Sequence, residues 1–306
     1  MMFGLDVPVI KSEVFSRMPD HFRKRGVVTP WVEANGGGAD IDSFLEGPSF
    51  DRAGNLYVTD IPFGRVFRIS PAGEWTLVTE YDGEPNGLKI HKDGRIFITD
   101  YRHGIMVLDA ASGKIEPFLA RRHSESFKGV NDLFFADNGD LYFTDQGQTG
   151  LHDPSGRVYR LSATGKLDCL INTVPSPNGV VMSADGEALF IAVTRGNCIW
   201  RGPLMSDGSL TKVGVFFQLY GPSGPDGLAM DVEGNLAVAH ARSGNVWLFD
   251  KKGVPLLRVE TCAGDINTNI AYGGAGRRDL YITESASGTV MRARLPVAGC
   301  RMFAHQ

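Results

Sequence analysis

Hydrophobic and polar positions alternate along this chain in short runs, and polar turns that contain glycine separate the runs. The stretch LYVTD at 56–60, which follows the turn DRAGN, is typical in its β-branched and aromatic residues. Alternation of this kind fits half-buried strands, whereas an amphipathic helix needs a sustained 3.6-residue period. The pattern therefore predicts an all-β protein with few helices.

One phrase recurs along the chain. Three of its copies read EGPSFDRAGNLYVTD, NGLKIHKDGRIFITD and NDLFFADNGDLYFTD. The six copies begin at Glu46, Asn86, Asn131, Asn178, Asp226 and Thr268. Successive starts differ by 40, 45, 47, 48 and 42 residues. A period in the forties with several short strands per period is typical of a β-propeller blade.

Each copy predicts two strands joined by a turn; a third strand such as RVFRIS and a weaker fourth such as EWTLVTEY follow. We therefore predict one domain over residues 1–306, a six-bladed β-propeller with four-stranded antiparallel blades around a central channel. The segment KSEVFSR at 11–17 is expected to pair with the last blade, because ring closure removes exposed strand edges. Residues 19–45 fit no blade. Residues 1–45 are thus predicted to be a ring-closing strand and a cap segment.

Composition narrows the class of partner. The net charge of −4 and the pI of about 6.0 offer no basic surface to nucleic-acid phosphates. No run of about 18 apolar residues could cross a bilayer, and the N-terminus lacks the apolar core of a secretory signal. The four cysteines are widely spread, which favours reduced thiols. We expect a cytoplasmic protein without nucleic-acid or membrane partners, and the oligomeric state stays open.

The first residue of each copy, called its first letter below, varies among the six copies, and its chemistry indicates a possible function. In a propeller the first strand of each blade lines the channel, so these letters should meet at one mouth. They are all oxygen donors, with two carboxylates and no cation. Closely packed carboxylates repel unless a cation lies between them, and Ca²⁺ favours such all-oxygen sites. The alternative to a metal site is a solvated channel mouth that merely tolerates polar residues. If a metal is bound, Mg²⁺, Mn²⁺ or Zn²⁺ could replace Ca²⁺.

The second strand of each hairpin should return to the same face. Its last residue therefore lies around the mouth at larger radius, where an aspartate often only caps a turn. Asp145 and His240 are the more informative of these residues, since a histidine near the site could relay protons or bind substrate. We predict that Asn86, Asp145 and His240 contact substrate or surround the cation ligands.

Four short motifs carry a resemblance to a known family. The EGP at 46–48, the ND at 131–132, the PNG at 177–179 and the PDG at 225–227 each open a blade. In this order they resemble the SMP-30/gluconolactonase/luciferin-regenerating-like family, and the stretch FTDQGQTGLHDPSGRVYRL is similar to its bacterial lactonases. The resemblance implies a six-bladed propeller with a divalent cation in its channel.

The resemblance also implies roles for particular residues. Glu46, Asn178 and Asp226 would be cation ligands, and Asn131 a ligand, a substrate contact, or both. Some members that act on sugar lactones carry an arginine where this chain has Gly129. That departure argues against gluconolactone itself as the substrate.

These observations predict a divalent-metal-dependent hydrolase that opens a lactone to a hydroxy acid. Asp226 is the expected general base, with a nucleophilic role for it as the alternative, and Asn131 is expected to assist at the substrate oxygen. The small-molecule substrate would be a lactone or a related ester. Two other functions stay open: hydrolysis of organophosphates or other esters at the same site, and a non-catalytic propeller that binds a partner.

Overall fold

The computed structural model describes residues 6–36, 40–221 and 223–306. Parts of the predicted N-terminal segment, residues 1–5 and 37–39, lie outside the described residues. Before the first repeated phrase the chain forms two short strands and one helix. These elements are β1 (Val9–Lys11), β2 (Glu13–Arg17) and α1 (Pro30–Asn35).

The first three copies of the phrase each begin a sheet of four strands, and a small hairpin follows the second sheet. In chain order the strands are β3 (Leu45–Phe50), β4 (Leu56–Asp60), β5 (Arg65–Ile69), β6 (Trp75–Glu80), β7 (Pro85–Ile90), β8 (Ile96–Asp100), β9 (Gly104–Leu108), β10 (Ile115–Leu119), β11 (Arg121–Arg122), β12 (Glu125–Ser126), β13 (Val130–Phe135), β14 (Leu141–Asp145), β15 (Gly156–Leu161) and β16 (Leu167–Val174).

Each of the last three copies also begins one sheet. Their strands are β17 (Pro177–Met182), β18 (Ala188–Val193), β19 (Cys198–Pro203), β20 (Gly214–Gln218), β21 (Pro225–Met230), β22 (Leu236–His240), β23 (Asn245–Phe249), β24 (Pro255–Glu260), β25 (Asn267–Gly273), β26 (Asp279–Glu284) and β27 (Thr289–Arg294). Short 3₁₀ turns occupy Asp20–Phe22, Ile61–Phe63, Thr194–Gly196, Ala275–Arg277 and Phe303–His305.

The first strands of the six blades form the central ring. Each contacts the first strand of the next blade, and β25 contacts β3 to complete the circle. The other strands of each blade follow outwards in sequence. The prediction of an all-β, six-bladed propeller is confirmed. Within the described part of the chain no helix is long and apolar enough to span a bilayer, and the cytoplasmic location stays a prediction.

The N-terminus contributes to two blades. β2 pairs antiparallel with β27, Glu13 opposite Arg292, and supplies the outer strand of blade six. β1 pairs parallel with β24 and adds a fifth strand to blade five. The sequence predicts four strands per blade and does not reveal β1, because a parallel strand of three residues has no readable alternation. Residues 1–45 as a distinct closing and cap segment remain a proposal.

Hydrophobic clusters fill the spaces between neighbouring blades. Tyr142 and Val158 of blade three, for example, pack with Val180, Leu189 and Ile191 of blade four. Close packing at the ring itself requires glycine after several of the first letters. A Cβ on Gly179 would lie 2.3 Å from the carbonyl oxygen of Asp226 in the next blade. Side chains can therefore enter the channel only at selected positions.

A β-bulge follows the first letter in every blade. In blade one, Glu46 pairs with Thr59 and Ser49 with Tyr57, so three steps on β3 match two on β4. The same one-residue excess occurs in the other five first strands. Bulges of this kind redirect side chains and are common beside functional sites. Here the bulge lies between the mouth of the channel and the part of the first strand that lines its interior.

The opposite end of the channel is covered by the C-terminal segment. Gly299 forms a β-bridge with Asp231, and the ring of Phe303 stacks on Phe135 with centroids 5.2 Å apart. A cavity of about 920 Å³ lies at this end, bordered by Met302 among others. The channel therefore has two different ends, and only one carries the first letters of the repeat.

Candidate active site

A pocket of about 160 Å³ opens at the mouth of the channel where the first strands begin. Five of the six first letters line it: Glu46, Asn86, Asn131, Asn178 and Asp226. The sixth, Thr268, is buried, and its Oγ1 donates to the carbonyl oxygen of Leu45 at 3.1 Å. The repeat thus brings the predicted carboxylates and amides together, whereas Thr268 lies behind the pocket wall, close enough to lower the pKa of Glu46 slightly.

Glu46 is buried at the start of β3. Its Oε2 accepts hydrogen bonds from the Gly47 amide and from Asn269 Nδ2, both at 2.8 Å, which leaves Oε1 outside these two bonds. Loss of water on burial raises the pKa of Glu46 to about 7, and the nearby charge of Asp132 adds to the rise. The hydrogen bonds that the protein donates to Glu46 therefore do not fully replace the water that its carboxylate loses on burial.

Asp226 faces Glu46 in the same pocket and is half-buried. Removal of water raises its pKa well above the usual range, and repulsion from Glu46 and Asp132 raises it further. Carboxylates that raise the pKa of a neighbouring carboxyl repel it once both are ionised. A cation between them would remove that repulsion.

A second polar layer lies directly below the mouth. It is formed at the second letter of the repeat, which is glycine in four blades but Asp132 and Asn269 in the other two. Asp132 is buried, and its Oδ1 lies 3.7 Å from Lys89 Nζ. Three carboxylates against one ammonium leave a formal charge of −2 in these two layers, which matches one divalent cation.

The donor set is unusual for a metal site because it depends on amides. Among the described residues, no three histidine, cysteine, aspartate or glutamate side chains come together as a metal cluster. An ion at the mouth would need Asn131 and Asn178 in addition to Glu46 and Asp226. Hard cations such as Ca²⁺ accept amide oxygens readily.

Contacts with neighbouring side chains suit both amides to that role. Asn131 Nδ2 donates to Gln146 Oε1 at 2.9 Å, and Gln146 Nε2 donates to Ser176 Oγ at 3.0 Å. The Asn178 side chain lies close enough to Asp226 to favour its ionised form, which offsets part of the rise in the pKa of that carboxyl. The Oδ1 atoms of both asparagines remain for another partner. The residues present therefore fit a divalent cation.

The threonine in the repeated TD motif connects neighbouring blades at the mouth. Thr59 Oγ1 donates to the Asn86 carbonyl oxygen at 2.6 Å, and Thr144 Oγ1 donates to that of Asn178 at 2.7 Å. Thr99 makes the same contact with Asn131. Each threonine thus fixes the backbone of the next first-letter residue. This role was not predicted from the sequence, although the threonine recurs in the TD motif of the first three blades.

The residues that end the second strands lie further out. Asp145 Oδ1 accepts the amide hydrogens of Lys128 and Gly129 at 2.7 and 2.9 Å. His240 is buried, burial lowers its pKa, and its Nε2 has no hydrogen-bond partner in the described structure. Neither residue lines the mouth pocket. Asp145 orders the loop behind Asn131, and roles for Asp145 and His240 towards substrate stay predictions.

The N-terminal cap forms one wall of the pocket. Trp31 and Asn35 of α1 line it, and the Trp31 ring lies 4.8 Å from that of Phe44. The cap is anchored from below by Arg65, which is paired with Asp60 in the core and donates to the Phe22 carbonyl oxygen at 2.6 Å. These bonds hold the N-terminal segment against blade one.

The loops add residues that sequence reasoning did not identify. Tyr101, Gln146, Gln148 and Arg195 all line the pocket. Tyr101 lies so close to Gly129 that a Cβ there would come within 2.5 Å of the Tyr101 ring. A larger side chain at position 129 would displace Tyr101. These residues lie outside the repeated phrase, so only the fold shows that they meet.

Comparison with known proteins agrees with this architecture. The lactonase drp35 of Staphylococcus saprophyticus is 33% identical over 78% of this chain and 76% of its own length. Its counterpart in Staphylococcus epidermidis is 31% identical over 74% of this chain and 71% of its own. The crystal structure of the calcium-binding protein regucalcin from Agrobacterium tumefaciens shares the fold, with a TM-score of 0.78, 22% identity, and coverage of 98% and 99%.

The family assignment rests on the sequence match rather than on the shared fold. Residues 44–286 match the region described as SMP-30/Gluconolactonase/LRE-like. That range contains all six first letters and every loop that lines the mouth except α1. The chain therefore belongs to the SMP-30/gluconolactonase/LRE-like family.

Proposed function

We propose that this chain is a divalent-cation-dependent hydrolase that opens a lactone, a cyclic ester, to its hydroxy acid. The observation that carries the proposal is the pair of carboxylates, Glu46 and Asp226, held together at the channel mouth without a cation of the protein between them. The relatives named as lactonases support the same reaction class. The relative described as calcium-binding supports Ca²⁺ as the ion.

Four side chains would hold the cation. Glu46 and Asp226 would contribute carboxylate oxygens, and Asn131 and Asn178 would contribute their Oδ1 atoms. When bound, the cation would polarise the substrate carbonyl and offset negative charge on its oxygen. Asn269 donates to Oε2 of Glu46 and holds that carboxylate in place. Gln146 accepts a hydrogen bond from Asn131 Nδ2 and so fixes the orientation of the Asn131 amide. The protein thus orients the ligands before any ion arrives.

Ring opening adds one water across the acyl carbon–oxygen bond. The water oxygen bonds to the carbonyl carbon, and the ring oxygen leaves with the electrons of the broken bond and takes up a proton. The new carboxylic acid then ionises and releases one proton. Asp226 is the proposed general base, since a carboxylate that holds the cation lies within reach of a water bound there. Asn86 and Gln148 remain available to hydrogen-bond the substrate.

A panel of substrates tests the reaction class. Metal-free protein would be given lactones of several ring sizes, matched open-chain esters and an organophosphate triester, each with Ca²⁺, Mg²⁺, Mn²⁺ or Zn²⁺. Proton release measures the rate. The proposal predicts that a lactone with Ca²⁺ is the best combination. Faster cleavage of the triester or of open-chain esters would favour the alternative hydrolase, and no cleavage would favour a binding module.

The role of Asp226 can be separated from the alternative of nucleophilic attack. In ¹⁸O-labelled water a general base leaves the Asp226 carboxylate unlabelled while the product gains ¹⁸O. A nucleophilic aspartate would give its own oxygen to the product and regain ¹⁸O from water. Mass spectrometry of the peptide that contains Asp226 after many turnovers therefore distinguishes the two.

A further inference from the structure

We propose that Arg195 binds an anionic group on the substrate, so that the preferred lactone carries an ionised carboxylate or phosphate besides its ester. This inference rests on the proposed lactone hydrolysis. It adds a substrate class and a specificity-determining residue to that reaction.

Arg195 is the one basic residue among the described residues that line the mouth pocket. It is exposed, and no hydrogen bond or ion pair engages its side chain in the described structure. Several arginines near this face are paired, among them Arg23 with Asp42, Arg65 with Asp60 and Arg102 with Asp82. The charge of Arg195 offsets part of the rise in the pKa of Asp226, while its hydrogen-bond donors stay available beside the reaction centre.

The backbone below Arg195 is firmly held. Arg195 is the middle residue of the 3₁₀ turn Thr194–Gly196, and Thr194 Oγ1 donates to the Pro225 carbonyl oxygen at 2.8 Å. The turn ends in Asn197 with φ of 51°, whose Nδ2 donates to the Gly221 carbonyl oxygen at 3.1 Å. These bonds tie the turn to blade five. Binding an anion there orders only one side chain, which reduces the entropic cost.

The charge of the mouth favours an anion at this position. The formal charge of −2 in the upper channel is balanced once a divalent cation is present, and Arg195 then adds one uncompensated positive charge. A neutral lactone would leave that charge unused. A lactone with an anionic substituent would place opposite charges together, which favours both encounter and binding.

The chemistry of the guanidinium defines the ligand class. Its planar set of donors matches the two oxygens of a carboxylate or of a phosphate, and such paired bonds are stronger than neutral ones. The pocket of about 160 Å³ suits one small ring. We therefore infer a small lactone whose anionic substituent points from the ring towards Arg195 while the ester lies near Glu46 and Asp226.

Matched substrate pairs test this inference. One pair shares a lactone ring and differs only in an ionised carboxylate or the neutral carboxamide, and a second pair compares a phosphate ester with its free hydroxyl. The wild type is expected to have the higher kcat/KM on the anionic member. Arg195→Gln should reduce the anionic-to-neutral ratio of kcat/KM by about 10- to 100-fold, mainly through KM. Arg195→Lys should retain part of the preference.

A control substitution accounts for the change in net charge. Arg301 is also exposed but borders the cavity at the other end of the channel. Arg301→Gln removes the same charge and should leave the ratio as in the wild type. A fall of the ratio in one pair only identifies carboxylate or phosphate as the group. Equal ratios in wild type and Arg195→Gln for both pairs would overturn the inference.

Direct binding separates this inference from the proposed reaction. Calorimetry would measure binding of the ring-opened hydroxy dicarboxylate and of its monoamide to the protein with Ca²⁺. Weaker binding of the dicarboxylate in Arg195→Gln, with no lactone opened by the wild type, would keep the anion site and reject lactone hydrolysis. If the wild type binds the dicarboxylate no better than the monoamide, the anion site is rejected even if lactones are opened.

Discussion

Glu46 and Asp226 have different expected roles at the residue scale. Glu46→Gln removes one negative charge but keeps an oxygen, so we expect weaker Ca²⁺ binding and activity that recovers at high Ca²⁺. Asp226→Asn also weakens binding, but its activity should stay low at saturating Ca²⁺ because the base is lost. Steady-state rates over a Ca²⁺ series measure both. Equal recovery of the two variants would show that Asp226 is only a ligand.

The raised pKa of Glu46 predicts how pH acts on the metal-free protein. Because the native pKa of about 7 exceeds the usual value, the folded state holds more protons than the unfolded chain between about pH 4.5 and 7. The contribution to the free energy of unfolding is therefore full below that window and is lost as pH rises through it. Ca²⁺ binding needs the ionised form, so its affinity should fall below about pH 7.

Thermal melts with and without Ca²⁺ at pH 5, 6, 7 and 8 check this prediction. We expect the stabilisation by Ca²⁺ to grow with pH across the series. A Ca²⁺-induced shift that is constant from pH 5 to 8 would mean that Glu46 is ionised throughout and that the repulsion inferred at the mouth is absent.

The sequence predicts the first-letter residues well because they repeat at a fixed place. Glu46, Asn86, Asn131, Asn178 and Asp226 all reach the same pocket. It fails where a residue acts through a neighbour in space. Asn269 holds Glu46, and Gln146 turns Asn131, but each lies far from its partner in the chain or outside the repeated phrase. Asp132 could have been noticed, since it replaces a glycine in the second letter.

At the scale of elements, the inter-blade bond of Thr144 gives a clear expectation. Its Oγ1 donates to the Asn178 carbonyl oxygen at 2.7 Å and accepts from the Asp132 amide at 3.1 Å. Thr144→Val keeps the shape but leaves both buried groups unpaired, which should cost about 1–3 kcal/mol of unfolding free energy. Thr144→Ser retains the hydroxyl and is the control. Urea unfolding of both measures the difference, and equal stability would show that the bond contributes little.

The cap gives a second expectation at this scale. Arg65 is paired with Asp60 in the core and also bonds the Phe22 carbonyl oxygen, while Asp60 Oδ1 accepts the Phe44 amide at 2.7 Å. Arg65→Leu would leave a buried carboxylate unpaired, so we expect a loss of about 3–5 kcal/mol in urea unfolding. The double variant Asp60→Asn/Arg65→Leu should be less damaged than Arg65→Leu alone. A double variant as unstable as the sum of both singles would rule out coupling.

Blade strands and the cap differ in how readily sequence predicts them. The inner hairpins have strong alternation and a fixed turn, so their strands are found close to their true bounds. The cap has no period, and α1 (Pro30–Asn35) depends on tertiary contacts such as that of Trp31 with Phe44. Pairing partners of the N-terminal strands are also set by the closed ring. β2 could be predicted from the need to cover an edge, whereas β1 could not.

For the whole molecule, the central claim is that one divalent cation at the mouth both joins the blades and is required for ring opening. Glu46, Asn131, Asn178 and Asp226 belong to four different blades, so an ion bound by all of them would resist opening of the ring. At 100-fold its Kd, such an ion adds about 2.7 kcal/mol to the free energy of unfolding. For a domain of this size that is a rise in Tm on the order of 5 °C.

A single titration tests this claim most directly. Metal-free protein at pH 7.5 would receive Ca²⁺ in steps, with bound ion, Tm and proton release from the best lactone of the panel measured at every step. We predict negligible hydrolysis without metal, and a rate and a Tm that rise together and saturate at one ion per chain. Full hydrolysis by protein shown to be free of metal would contradict this claim. So would a Ca²⁺ titration of Glu46→Gln that matches the wild type, because the activating ion would then not be bound at Glu46.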